Sequence, residues 1–462
     1  LLTLGCVLRL SPGLGPGTMA VVLCISLSRS QLDQSRRGRV EAALALPVVA
    51  LAATGVGLLL HRSPWLGAGV FVACMGLSIW LRRFGPLARR AGSLIALPFV
   101  VLLTTPYLPP DPRSPVPPLL MPVLVALLAL AWVSALHALA RRLAWLPAPL
   151  LEARFQAPPG PVQRPAAPAA APTLRPIAST RMALQMVVAL ALSFAIGYGF
   201  FAERWAWIVL TAFIVLSGNR GRLDVAYKSL LRVLGAAAGT VLALSIGGFG
   251  PSGGPTTVAA ILLAVFLGLW LRPLGYGWWA LFVTLALALL QRLAGEAVPA
   301  LLWPRLQEIV IGALIGLASA WFVLPVRSTA VLRRRLADAL AALSEALSEP
   351  PDPSLPLPQR QPEPFIAALA AVEQLAPAFR ASRRLTRRLQ ARHPADWVDA
   401  LADCRDPALA LIGQAQAPAA VRRAVGAARK ALREPDEILA ALQTLRTALA
   451  SASGPASGSA PR

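Results

Sequence analysis

Arg305 and Glu308 stand one helical turn apart in the run "WPRLQEIVIGALIG". The i, i+3 spacing puts a guanidinium and a carboxylate on one helix face, where they can pair. Inside an apolar chain such groups are costly and usually face a bundle interior or a wet cavity. The chemistry they offer is proton transfer at the carboxylate beside an arginine that meets an anionic substrate. The competing reading is a pair at the outer membrane boundary that only anchors its helix. Arg232, in "YKSLLRVLGAAAG", also has two readings. It draws organic anions towards the cytoplasmic mouth of a pathway, or it snorkels to the cytoplasmic interface.

Around these charges lie groups of softer chemistry. Thr211 and Thr284 offer hydroxyls to a substrate or to the preceding helical turn. Trp205, Trp207, Trp278, Trp279 and Trp303 sit near the ends of apolar runs. They read as an interfacial belt or as a stacking surface for aromatic substrates. Gly235 and Gly239 form a GxxxG pair, as do Gly312 and Gly316, and that spacing lets helix backbones approach closely. His137, alone on an apolar helix, reads as structural.

Enzyme signatures are lacking: there is no P-loop, no HExxH and no GxSxG. No His/Cys/Asp set has metal-ligand spacing, so neither metal nor cofactor is expected. The four cysteines, Cys6, Cys24, Cys74 and Cys404, are scattered without a CxxC and read as buried thiols.

The elements that must position these residues follow from composition. The 462 residues are 56% hydrophobic and only 14% charged, with a mean hydropathy of +0.62. A soluble domain holds roughly a quarter charged residues, so this chain reads as an all-α polytopic membrane protein. Apolar segments fall near 1–12, 17–28, 42–60, 64–81, 91–106 and 118–140. Six more follow near 181–201, 205–217, 229–248, 256–271, 276–291 and 306–325. The chain opens on Leu1 within an apolar run, which reads as a start that lacks part of a first helix. Between the halves, "APPGPVQRPAAPAAAPTLRP" reads as an extended linker. The expected organisation is therefore a first six-helix repeat over 1–145, a cytoplasmic linker over 146–178, a second repeat over 179–326 and a soluble helical region over 327–462.

The repeat rests on matched stretches. "RGRVE" (37–41) has its counterpart in "RGRLD" (220–224), and "PVVALAATGVG" (47–57) then falls opposite "LLRVLGAAAGT" (230–240). "MPVLVALLALAWVSAL" (121–136) matches the position of "WPRLQEIVIGALIGLA" (303–318). An even number of spans per half makes the repeats parallel.

The net charge of +23 would suit a nucleic-acid partner, but its placement argues against one. Residues 1–325 hold 25 basic and 8 acidic side chains, nearly all between apolar segments. With the N-terminus in the cytoplasm, 19 of the 25 basic residues fall on the cytoplasmic side, as the positive-inside rule requires. Both charged patches then lie in the loop between second and third spans and read as anchors. In the tail, "RRLTRRLQARH" (383–393) is a basic helix face that lies on anionic lipid or pairs within a bundle.

"WAWIVLTAFIVLS" (205–217), a basic loop and "RVLGAAAG" (232–239) together resemble the core of the fusaric acid resistance family of inner-membrane proteins. So does "GYGWWALFVTLALALL" (275–290) followed by "RLQEIVIGALIGLASAWFVLP" (305–325). The chain departs from the family's Arg-x-x-Gly-Thr pattern: Gly235 is followed by Ala236, and the threonine comes at Thr240. The resemblance implies export of aromatic carboxylic acids or related organic anions, often with a periplasmic adaptor protein. With no nucleotide motif, transport would draw on the proton gradient. The expected protein is thus a twelve-span exporter of the bacterial inner membrane with both termini cytoplasmic. Its partners are the lipid bilayer, a small organic anion, an adaptor and further copies of itself in a homo-oligomer. A passive anion channel and a scaffold that recruits partners through its C-terminal helices are the rival readings.

Overall fold

The computed structural model describes residues 2–10, 14–29, 36–84, 92, 99, 102–103, 117, 120–143, 178–202, 204–247, 255–293, 298–348, 362–388, 392–412 and 418–453. Among them every regular element is helical. The expected linker over 146–178 falls almost wholly outside the described residues, and so does most of the expected segment at 91–106.

The chain divides into two units. The first comprises Leu1–Leu146 with Leu174–Val326; the second comprises Pro147–Thr173 with Arg327–Arg462. In the first unit the helices are α1 (Leu2–Leu10), α2 (Leu14–Arg29), α3 (Arg36–Arg62), α4 (Pro64–Trp80) and α5 (Met121–Arg142). The later membrane half supplies α6 (Ala178–Phe200), α7 (Trp205–Leu216), α8 (Arg222–Gly247), α9 (Pro255–Leu271), α10 (Tyr276–Leu293) and α11 (Val298–Phe322). Among the described residues five helices are long and apolar enough to cross a membrane, and four shorter apolar helices accompany them. They are apolar almost all round, as lipid-facing helices are. The breaks have local causes. Pro64 occupies the first turn of α4, where its missing N–H costs nothing. Pro273 lies in the 3-10 turn that separates α9 from α10.

Two boundaries differ from the hydropathy reading and matter for the site. Helix α8 begins at Arg222 rather than near 229, because Asp224 sits in its first turn, where a carboxylate favours the helix N-terminus. Helix α11 begins at Val298 rather than near 306, with Pro304 inside it. Hydropathy marks only the bilayer-soluble part of a helix, which hides the polar extension of α8; that of α11, "VPALLWPR", is apolar and interrupted by Pro299 and Pro304.

Within the first unit, α2 packs on α1 and α5, and α5 packs on α3. In the later half α7 packs on α6 and α11, and α11 packs on α8. First with second, second with last and third with last are therefore neighbours in each half. The halves meet where α4 packs on α6, with Phe71 edge-on to Phe194 at a centroid distance of 5.5 Å. Phe194 in turn stacks near Trp205 and Tyr198.

The second unit is built from amphipathic helices: α12 (Ser328–Ala346), α13 (Glu363–Glu373), α14 (Ala376–Thr386), α15 (Pro394–Ala402), α16 (Arg405–Ile412), α17 (Ala419–Ala431) and α18 (Ile438–Ser453). Leu336, Leu340, Phe365, Leu401, Leu411, Val421 and Leu445 are among its buried residues. The basic stretch from Arg383 divides by face. Arg383 pairs with Asp396 at 2.6 Å and Asp399 at 2.8 Å, and Arg380 pairs with Asp399 at 2.7 Å. Arg384, Leu385, Arg387 and Arg388 are exposed.

Candidate functional site

The site lies where α7, α8 and α11 come together. Helix α11 carries Arg305, Glu308, Gly312 and Gly316 at helical spacing on the face turned to α7. A methyl group added at Gly312 would stand 2.5 Å from the carbonyl oxygen of Ile208 and 2.9 Å from Cβ of Thr211. One added at Gly316 would stand 3.2 Å from Cγ1 of Val215. Only the absence of side chains lets these two backbones touch. The other GxxxG pair works the same way on a second seam. Gly235 lies against Ala280 and the Gly277 carbonyl of α10, both at 2.7 Å from an added methyl, and Gly239 lies against the Leu281 carbonyl.

At the upper end of the α7–α11 seam the guanidinium of Arg305 lies over the Trp207 ring, 4.0 Å from its centroid. That is a cation–π contact within the usual range, so Trp207 serves as the platform for an arginine. Arg305 is 3% exposed and Glu308 0%. Helix α11 starts three turns before Glu308, about 15 Å at the α-helical rise, so the pair sits within the bundle rather than at the helix end. Neither carboxylate oxygen of Glu308 has a hydrogen-bond partner among the described residues, and the same holds for Thr211 Oγ1. Thr284, by contrast, donates to the Ala280 carbonyl at 2.8 Å and is satisfied within its own helix.

Arg232 is 2% exposed. The early start of α8 places it ten residues in, again about 15 Å along the helix. Its Nε has no hydrogen-bond partner among the described residues. Arg305 feels the charges of both Arg232 and Glu308, Glu308 also feels Arg204, and Tyr276 feels Arg232. The structure thus brings together Arg305, Glu308, Arg232, Trp207 and Thr211, and adds Arg204 and Tyr276. Trp278 and Trp303 are exposed and take no part.

Sequence reasoning missed a second polar layer at the far end of the seam. Gln185 of α6 donates to the Val323 carbonyl at 2.9 Å and accepts from Asn219 Nδ2 at 3.2 Å. Asn219 Oδ1 accepts from the Gly221 amide at 2.6 Å, in a turn where Gly218 and Gly221 adopt φ of 62° and 119°. Asp224 accepts from the Arg220 amide at 3.2 Å and pairs with Lys228 at 2.8 Å. Arg181 donates to the Leu324 and Pro325 carbonyls. The "RGRLD" patch is therefore part of a hydrogen-bonded lock joining the loop after α7 to the ends of α6 and α11. A glutamine inside "RMALQMVV" was the available signal, because a buried amide in an apolar run needs partners.

Residues 184–319 match the family model described as fusaric acid resistance protein-like. Arg204, Trp207, Thr211, Arg232, Tyr276, Arg305 and Glu308 all fall within that stretch. The chain is also similar to the uncharacterized protein YhfK of Escherichia coli (strain K12), 26% identical over 183 residues. That alignment covers 38% of this chain and 25% of the relative, so the chain spans about a quarter of the relative's length.

Proposed function

We propose that this protein exports organic anions of the aromatic carboxylic acid kind across the bacterial inner membrane, coupled to protons through Glu308. The observation that carries the reading is the burial of Arg232, Arg305 and Glu308 together inside a membrane bundle. Ionisable groups are kept at that depth at a cost that function must justify, and cations in excess suit an anionic cargo. The match of residues 184–319 to the fusaric acid resistance model supports the chemical class, since fusaric acid is itself an aromatic carboxylic acid. Trp207 supports it from the site, by holding Arg305 with its planar face on an aromatic ring. Both termini lie in the cytoplasm on this reading, and the first unit is two six-helix repeats.

The test is flux of labelled benzoate in proteoliposomes with and without a pH gradient. The wild type should show pH-dependent flux, and Glu308→Gln should abolish the proton-dependent part while the protein still inserts. Current that follows the electrochemical gradient with no effect of the substitution would mean a passive channel. No flux at all under either condition would leave a scaffold.

A further inference from the structure

Arg232 and Arg305 come from two helices, α8 and α11, that pack on each other. Both guanidiniums are almost completely buried, and Arg305 feels the charge of Arg232. One turn along α11 from Arg305 stands a buried carboxylate, Glu308. The formal sum of the three is positive when Glu308 is ionised and more so when it is protonated. Like charges held together in a low-dielectric interior need a counter-charge. Glu308 supplies half of it, and its oxygens make no hydrogen bond among the described residues. Arg232 Nε and Thr211 Oγ1 are likewise buried without a hydrogen-bond partner among them. Polar groups arranged in this way are satisfied by a polar ligand.

We infer that Arg232 and Arg305 together form a binding site for one singly charged anion, with Glu308 as the built-in competitor that the anion replaces when Glu308 takes up a proton. The inference rests on the transport reading only in naming the anion an organic carboxylate. Arg204, at the start of α7, adds a further positive charge beside Glu308, and Tyr276 of α10 faces Arg232. Lys228 of α8 is engaged by Asp224, and α6 brings the uncharged Gln185 and Ser193. An ionised Glu308 repels the incoming anion and occupies its cations; a neutral Glu308 does neither. Proton binding and anion binding therefore favour each other, and linkage makes that reciprocal. Proton and anion load together. The inside-negative membrane potential drives an anion outward when the proton returns to the side it came from, so the proton governs loading of the site and does not leave with the cargo.

The experiment is calorimetric titration of the purified full-length protein with sodium benzoate, and separately with sodium chloride, at pH 5.5 and pH 8. Benzoate should bind at least about tenfold tighter (about 1.4 kcal/mol) at the lower pH. Glu308→Gln should bind it tightly at both, and Arg232→Gln should weaken it at least about tenfold at both. Equal benzoate affinity at the two pH values in the wild type, or loss of binding in Glu308→Gln, would overturn the inference. Chloride binding with no benzoate binding would also overturn it, leaving a structural halide. Should Arg232→Gln fail to fold, the Glu308→Gln comparison decides alone. A protein that binds benzoate with this pH dependence but moves none in proteoliposomes keeps the site and loses the transport reading. Flux without the linkage does the reverse.

Discussion

Arg305 and Glu308 were legible from spacing alone, because residues three apart on a helix must share a face. Their depth was not. Hydropathy placed them at the mouth of a span near 306, whereas α11 starts at Val298 and buries both. Arg232 shows the same effect from the other side: its helix starts at Arg222, so the side chain enters the bundle. The contact of Arg305 with Trp207 joins residues nearly a hundred positions apart, and no local pattern announces such a partner. His393 in the second unit is a further group whose role only the structure supplies. Its Nδ1 accepts from the Ala395 amide at 3.2 Å, and its own amide donates to Asp396 at 3.0 Å, capping α15. Burial lowers its pKa below the ordinary 6.5, with Asp396 opposing and Arg383 reinforcing the shift. A protonated ring cannot accept that bond, so the cap's contribution is present above about pH 6.5 and is lost as pH falls through the lowered folded value. The hydrogen-exchange protection factors of residues 394–402 in the full-length protein, taken relative to the intrinsic rates at each pH, should therefore fall between pH 7.5 and pH 5. His393→Asn, a non-titrating cap, should flatten the response.

At the scale of the element, the two GxxxG pairs behave as seams. Their spacing in the sequence implied close packing, yet which helices they join is a tertiary fact: α11 with α7, and α8 with α10. The partner of each is set by which helix surface is shaped to receive it, and no local rule contains that. The consequence is measurable by replacing single glycines. Gly312→Ala and Gly239→Ala each push a methyl onto a neighbouring carbonyl oxygen, and overpacking of this kind costs about 1–3 kcal/mol. Both should lower the melting temperature of the purified protein. Gly69→Ala, in α4, meets nothing within 4 Å and should leave it unchanged or raise it, since alanine favours a helix over glycine. Equal melting temperatures for all three would mean that the seams carry no packing role. Helix α7 packs on both α6 and α11. Its 12 residues span about 18 Å, short of the hydrocarbon core of a bilayer.

For the whole molecule, the charge distribution makes the strongest claim. Basic residues concentrate on alternate loops, and the structure binds one such loop firmly: Arg222 donates its amide to the Val326 carbonyl at 3.1 Å, and Asn219 reaches Gln185. The patch that reads as an anchor is thus also a fastening at the boundary between the membrane bundle and the chain that leaves it. On the proposed topology a green fluorescent protein fused after Arg462 should fluoresce in cells, and alkaline phosphatase fused there should be inactive. The opposite pair of results would invert the orientation. Among the described helices the neighbour relations first with second, second with last and third with last recur in the two halves.

Composition and order by themselves determined that this is an all-α membrane protein, since apolar runs with so few charges leave no other solvent and no other backbone geometry that satisfies its hydrogen bonds. They also singled out the side chains able to do chemistry, because an ionisable residue in an apolar run is conspicuous wherever it folds. Only the tertiary structure decided that Arg232, Arg305 and Glu308 meet, that Trp207 carries an arginine, and that Thr211 stands in the site while Thr284 does not. The reason is physical: helix formation depends on neighbours in sequence, whereas burial, depth and electrostatic partnership depend on which helices touch.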